Sequence, residues 1–135
     1  MNVLVDTSVW SMALRRGILI NQDIVNDLIK LIEEFRVQII GPVRQEILSG
    51  IKTEKQFHEL RSYLSAFPDL PLETADFEEA AKFFNISQRH GIQGSNTDFL
   101  ICSVSYRRNL EIFTSDKDFP RFQTCIPINL YTLRK

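Results

Sequence analysis

The chain is expected to fold as one α/β domain with a mainly parallel central sheet flanked by helices. Three observations predict this. Short apolar runs at 3–5, 37–40 and 111–114 read as buried strands. Stretches between them carry apolar residues at helical spacing. Gly, Pro and cap residues punctuate the joints. Strands alternating with helices build parallel sheets covered by helices. Such sheets gather their ligands at the carboxyl ends of strands.

The elements follow in order. Val3, Leu4 and Val5 form a first strand that ends at Asp6. Asp6, Thr7 and Ser8 offer cap chemistry for a short helix over 9–14, closed by Gly17. A second helix starts near Asn21, with Ile24, Leu28, Leu31, Ile32 and Phe35 on one face. The β-branched run 37–40 is a strand, stopped by Gly41 and Pro42. Pro42 suits the first turn of a helix that reaches Leu48 and ends at Ser49 and Gly50. Phe57, Leu60, Leu64 and Phe67 line another helix. Pro68 and Pro71 bracket a short edge segment around Leu70 and Leu72. Thr74 opens a helix through Phe77, Ala80, Ala81 and Phe84 that stops near Gly91. Asn96, Thr97 and Asp98 cap a helix running through Arg108, with Asn109 at its C-cap. Strands at 111–114 and 128–133 complete the pattern.

The 135 residues suit a single domain over 1–135, and no repeat, linker or low-complexity tract divides them. A net charge of -1 from 16 basic and 17 acidic side chains excludes a polybasic coat or a polyacidic tail. It leaves room for a local basic patch. Cys102 and Cys125 belong to no C-x-x-C pair, so both read as small buried hydrophobes in a reducing, cytoplasmic protein. The N-terminus lacks a signal-peptide pattern, and no apolar run approaches a membrane span. His58 and His90 have no partner at zinc-ligand spacing.

Four acids fall where a parallel sheet places its ligands. Asp6 ends the first strand, and Asp116 follows the strand at 111–114. Asp98 lies in the first turn of its helix, and Glu46 lies in the helix after the second strand. Each has an ordinary reading: a helix cap for Asp6 and Asp98, a turn for Asp116, a solvated helix face for Glu46. Together they converge on one crevice. Two like charges at 4 Å repel by about 4 kcal/mol at an effective dielectric near 20. Gathered carboxylates therefore require a cation or a retained proton. All-oxygen ligands select a hard ion, Mg²⁺ or Mn²⁺. Such ions polarise phosphate oxygens and activate water, so phosphodiester hydrolysis is the natural reaction class.

Four ordered segments carry a resemblance. They are Val5-Asp6-Thr7-Ser8-Val9-Trp10, Arg44-Gln45-Glu46-Ile47-Leu48-Ser49-Gly50, Gly94-Ser95-Asn96-Thr97-Asp98-Phe99-Leu100-Ile101 and Phe113-Thr114-Ser115-Asp116-Lys117-Asp118-Phe119. They resemble PIN-domain ribonucleases, and most closely the VapC-type toxins of toxin–antitoxin pairs. The resemblance spans nearly the whole chain. It implies a PIN-like nuclease domain and a divalent-metal-dependent endoribonuclease, the toxin of a type II pair. The family's site acids map onto Asp6, Glu46, Asp98 and Asp116. Thr7, Ser8 and Thr114 are supporting candidates. Asp118 is either an outer acid or a helix N-cap. Where relatives carry alanine after the third acid, this chain has Cys102, Ser103 and Ser105, which are still small.

On this reading Asp6, Asp98 and Asp116 hold a metal ion, and Glu46 binds a second or positions the attacking water. Lys117 and Arg121 are the nearest candidates for RNA phosphates, with Arg15, Arg16, Lys52 and Lys55 further out. Arg107 and Arg108 read either as a solvated helix end or as RNA contacts. The resemblance also implies a homodimer and a cognate antitoxin whose peptide crosses the groove. Trp10, Met12, Ile18, Leu19 and Ile20 are candidates for such a partner surface, with core packing the alternative for Trp10. Two rival classes remain at this point. One is a catalytically silent RNA-binding scaffold. The other is a phosphoacceptor receiver-like domain, which wants paired acids after the first strand where this chain has Asp6-Thr7.

Overall fold

The computed structural model describes residues 1–14 and 22–134. Its strands are β1 (Val3–Val5), β2 (Val37–Gln38), β3 (Glu111–Phe113) and β4 (Asn129–Leu130). Its helices are α1 (Thr7–Leu14), α2 (Gln22–Glu33), α3 (Gly41–Leu48), α4 (Glu54–Leu64), α5 (Thr74–Arg89), α6 (Asn96–Arg108) and α7 (Asp118–Phe122). The sheet order is β2-β1-β3-β4, and every pairing is parallel. The expected α/β class is what the backbone adopts.

The two inner strands set up everything that follows. Val3, Leu4 and Val5 are fully buried, as suits a strand covered on both faces. Val5 pairs with Phe113, and the Asp6 amide donates to the Phe113 carbonyl at 2.8 Å. Parallel register therefore brings the residue after β1 beside the residue after β3. The outer strands are shorter than the sequence suggests. β2 keeps two residues, and β4 is Asn129–Leu130 in place of 128–133. The edge segment near Leu70 survives as a single bridge, Ile39 to Asp69.

Two expectations are corrected. Trp10 is fully buried and meets the Phe67 ring edge-on at 5.2 Å, so it belongs to the core and not to a partner surface. Arg107 and Arg108 are not a free, solvated helix end. Both reach Asp76, whose side chain is completely buried where α5 packs on α6. Arg107 Nη1 donates to Asp76 Oδ1 at 2.6 Å, and Arg108 donates to both carboxylate oxygens at 3.0 and 2.9 Å. The Ser103 hydroxyl donates to the Asp76 carbonyl at 2.6 Å, which is the use this chain makes of a small polar residue there. Burial alone would raise the Asp76 carboxyl. Arg108, the Glu73 amide and Arg107 outweigh it and hold the group below its ordinary value.

Cys102 is buried and Cys125 half-buried, both as free thiols. His58 faces Arg61, and the His90 ring lies on the Ile86 carbonyl. Among the described residues no helix is long and apolar enough to cross a membrane.

Candidate active site

Asp6 leaves β1 and directly precedes α1, and the residue is 4% exposed. Asp6 Oδ2 accepts the Ser8 hydroxyl at 2.7 Å, the Thr114 hydroxyl at 2.9 Å and the Ser8 amide at 3.4 Å. The two hydroxyls are themselves aimed by backbone. The Ser115 amide donates to Ser8 Oγ at 3.1 Å, and the Asp116 amide donates to Thr114 Oγ1 at 2.9 Å. Once their lone pairs are used this way, both hydroxyl hydrogens are free for Asp6. The loop after β3 thus fixes the acid after β1. Burial pushes the Asp6 carboxyl up, against the opposing pull of these hydrogen bonds.

Asp98 enters from α6. Its N-cap is Ser95, one residue earlier than the sequence suggests, and the two residues form a capping box. The Asp98 amide donates to Ser95 Oγ at 3.1 Å, while the Ser95 amide donates to Asp98 Oδ2 at 3.1 Å. Burial raises the Asp98 carboxyl, Ser95 opposes that rise, and the charges of Asp6 and Asp116 add to it. Three aspartates from separate elements therefore feel one another. Cys102, one turn further along α6, registers the same field. Burial, then Asp98, then Asp6 keep its thiol far above the ordinary range.

Asp116 sits in the loop between β3 and α7, and its Oδ1 accepts the Asp118 amide at 2.9 Å. Glu46 is exposed on α3, and the Thr7 hydroxyl donates to its Oε1 at 2.7 Å. That bond ties α1 to α3 across 39 positions. Asp118 is the first residue of α7 and lies 3.8 Å from Arg121, so it is not the N-cap, which is Lys117.

A common pattern emerges from these bonds. Asp6 and Asp116 each accept a backbone amide two positions on, and Asp98 accepts one three positions back. Three helices start at these acids, and their positive ends partly offset the gathered charge. One oxygen of each acid, Glu46 included, is thereby committed. Among the described residues, no group of three ionisable side chains is already gathered tightly enough to grip an ion.

An aromatic chain supports the acids from beneath. Phe84, Phe99, Phe122 and Phe119 meet in sequence at 5.5, 4.9 and 5.3 Å. Phe99 follows Asp98, and Phe119 follows Asp118, so this chain holds α6 and α7 together. Gly94 fits against it because it has no Cβ, which would lie 2.5 Å from Phe122 Cζ.

Of the cationic candidates, Lys117 is exposed next to Asp116, and no ion pair involves it among the described residues. Arg121 faces Asp118. Lys52 and Lys55 are exposed around the start of α4. Arg15 and Arg16, like Ile18, Leu19 and Ile20, lie outside the described residues. Ser95 was not among the expected site residues. The Ser-x-x-Asp spacing was the available signal, but Asn96, Thr97 and Asp98 offer competing cap chemistry.

Comparison with known proteins agrees with this architecture. The PIN domain family model matches residues 3–124. The chain is 30% identical over 119 residues to VapC ribonuclease Mb1587 of Mycobacterium bovis, covering 87% of this chain and 88% of that protein. Ribonuclease VapC11 of Mycobacterium tuberculosis matches to the same extent. In structure, VapBC2 from Rickettsia felis, bound to a promoter DNA fragment, aligns with a TM-score of 0.78 at 21% identity, over 97% of this chain and 98% of that one. FitAcB from Neisseria gonorrhoeae aligns at 0.77 and 22% identity, over 96% of each chain. The chain belongs to the PIN domain family, among its VapC-type members.

Proposed function

We propose that the protein is a divalent-metal-dependent endoribonuclease and the toxin of a type II toxin–antitoxin pair. The observation that carries this reading is the parallel register that sets Asp6 beside the Asp116 loop, Thr114 bonding Asp6 and receiving the Asp116 amide, with Asp98 near enough for both charges to raise its carboxyl. Gathering like charges in a half-buried crevice works against folding, and a bound cation gives the arrangement a purpose. Relatives named as ribonucleases support the same substrate class. Similarity to VapBC and FitAB complexes supports an antitoxin partner.

The donor set fits Mg²⁺ or Mn²⁺ in chemistry, because every donor is a carboxylate oxygen. Asp6, Asp98 and Asp116 would hold the ion, with Glu46 at the rim. The acids would draw inward on it or hold it partly through water. When bound, the ion would supply Lewis-acid polarisation of the scissile phosphate and a more acidic water. The chain's own residues do the rest. Ser8 and Thr114 hold one Asp6 oxygen and fix the orientation of the carboxylate. Thr7 restrains Glu46, which orients the attacking water. Lys117 neutralises a phosphate beside the cleavage point.

A receiver-like domain is set aside by the family match. A silent scaffold has no need of three mutually repelling aspartates. A second copy is the further partner we propose. With Trp10 buried, an apolar groove of about 440 Å³ along α5 and α6, with half-exposed Phe77 on its wall, is the better surface for it.

The test incubates purified protein with total RNA, with Mg²⁺, with Mn²⁺ or with excess EDTA. Cleavage that requires the ion and disappears in Asp98→Asn is expected. Cleavage surviving exhaustive EDTA, or full activity in folded Asp98→Asn protein, would overturn the reading. Light scattering of wild type and Phe77→Lys checks the dimer, which the variant should dissociate.

A further inference from the structure

We propose that Ser95 is a positioning residue, whose amide and hydroxyl together set the direction in which Asp98 presents its remaining oxygen to the crevice. The proposal deepens the metal-dependent reading and rests on it.

The geometry is reciprocal. Ser95 Oγ accepts the Asp98 amide, and Asp98 Oδ2 accepts the Ser95 amide, both at 3.1 Å. The hydroxyl thereby fixes the Asp98 backbone while the amide fixes its carboxylate. An aspartate held this way loses most of its freedom about its side-chain bonds, and Oδ1 points where the cap leaves it. Ser95 is itself placed by its neighbour. Gly94 packs so close to Phe122 and Phe99 that any Cβ would collide with a ring. The cap is therefore anchored to the same aromatic chain that supports α7 and the loop bearing Asp116. Groups that orient metal ligands from behind change affinity without touching the ion.

A cap also stabilises its helix, so the test must separate the two roles. The structure offers a matched control. Thr53 caps α4 through the same kind of bond, accepting the Gln56 amide at 3.2 Å, and α4 carries none of the four acids. Ser95→Ala and Thr53→Ala should lower the melting temperature to a similar extent. Calorimetric titration with Mn²⁺ should then show about tenfold weaker binding for Ser95→Ala alone, the low end of what losing a group that orients a metal ligand costs. Ser95→Thr, which keeps the hydroxyl, should bind as wild type does. If Ser95→Ala fails to fold, Ser95→Gly replaces it, since glycine is tolerated at N-caps and still lacks the hydroxyl. Binding by the Ser95 variants within twofold of wild type, or an equal loss in Thr53→Ala, would overturn the proposal while leaving the metal reading intact. Wild-type protein that binds no Mn²⁺ would overturn both.

Discussion

The two ends of α6 treat a half-buried and a buried acid in opposite ways. At the N-terminal end, Asp98 shares its surroundings with Asp6 and Asp116, and its carboxyl is raised. At the C-terminal end, Arg107 and Arg108 clasp the buried Asp76, whose carboxyl is lowered. The two sites are about 15 Å apart along one helix. Both cost desolvation. Only the second recovers that cost within the chain. The contrast separates a charge cluster that holds the fold together from one that waits for something to bind.

The largest effect expected is at the uncompensated end. Asp98→Asn should reduce RNA cleavage to background and leave the fold intact, since it removes charge and not volume. Its stability signature distinguishes it further. A raised folded-state value means the folded protein binds more protons than the unfolded chain above the ordinary carboxylate range. Ionised Asp98 thus opposes folding increasingly as pH rises through that window. The melting temperature of Asp98→Asn relative to wild type should climb as pH rises above the ordinary carboxylate range. A variant that loses activity by unfolding, with a lower melting temperature throughout, would refute the contrast.

The other end should behave in mirror image. Asp76→Asn leaves two guanidinium groups facing a buried amide, and loss of one partner from a buried ion pair costs about 3–5 kcal/mol. Cleavage per folded molecule should persist. A lowered folded-state value contributes stability above the ordinary carboxylate range, which is lost as pH falls through the folded value. The deficit in Asp76→Asn should therefore be full at neutral pH and shrink toward acid, as denaturant titrations at several pH values can measure.

How much of this was legible beforehand depended on distance along the chain. The run Val3–Val5 ending in Asp6 is local, so the first strand and its acid could be read directly. The same holds for Asp116 after β3. Arg107 and Arg108 looked like a free helix end because their partner lies 31 and 32 positions away. Trp10 looked surplus to a short helix because Phe67, which it meets, lies far along the chain. α7 is signalled in the sequence only by the N-cap alternative at Asp118, because five residues are too few to show a period. The sequence offers the hydroxyls of Ser8 and Thr114 as supporting groups, but their meeting on one Asp6 oxygen depends on parallel register across 108 positions.

A smaller effect tests the aromatic chain beneath the active end. Gly94→Ala places a Cβ against Phe122 and Phe99, where rings packed on two sides have little room to yield. Overpacking of this kind costs roughly 1–3 kcal/mol. Because α6 and α7 both lean on those rings, cleavage should fall along with stability. A variant as stable and active as wild type would show that the chain does not set the spacing of Asp98 and Asp116.

The smallest effect concerns the substrate and not the acids. Lys117 is exposed, occupies the N-cap position of α7 and follows Asp116 directly, which makes it the nearest cation in sequence to that acid. A phosphate contact there releases counterions from RNA whatever the sequence. Replacing Lys117 by Ala should weaken RNA binding about equally across sequences and lower the slope of log affinity against log salt by roughly 1. Arg121 is partly engaged by Asp118, so Arg121→Ala should change the slope less. Binding should be measured in the Asp98→Asn background, where RNA is not consumed. An unchanged slope in Lys117→Ala, or a larger change in Arg121→Ala, would move the phosphate contact away from the loop that carries Asp116.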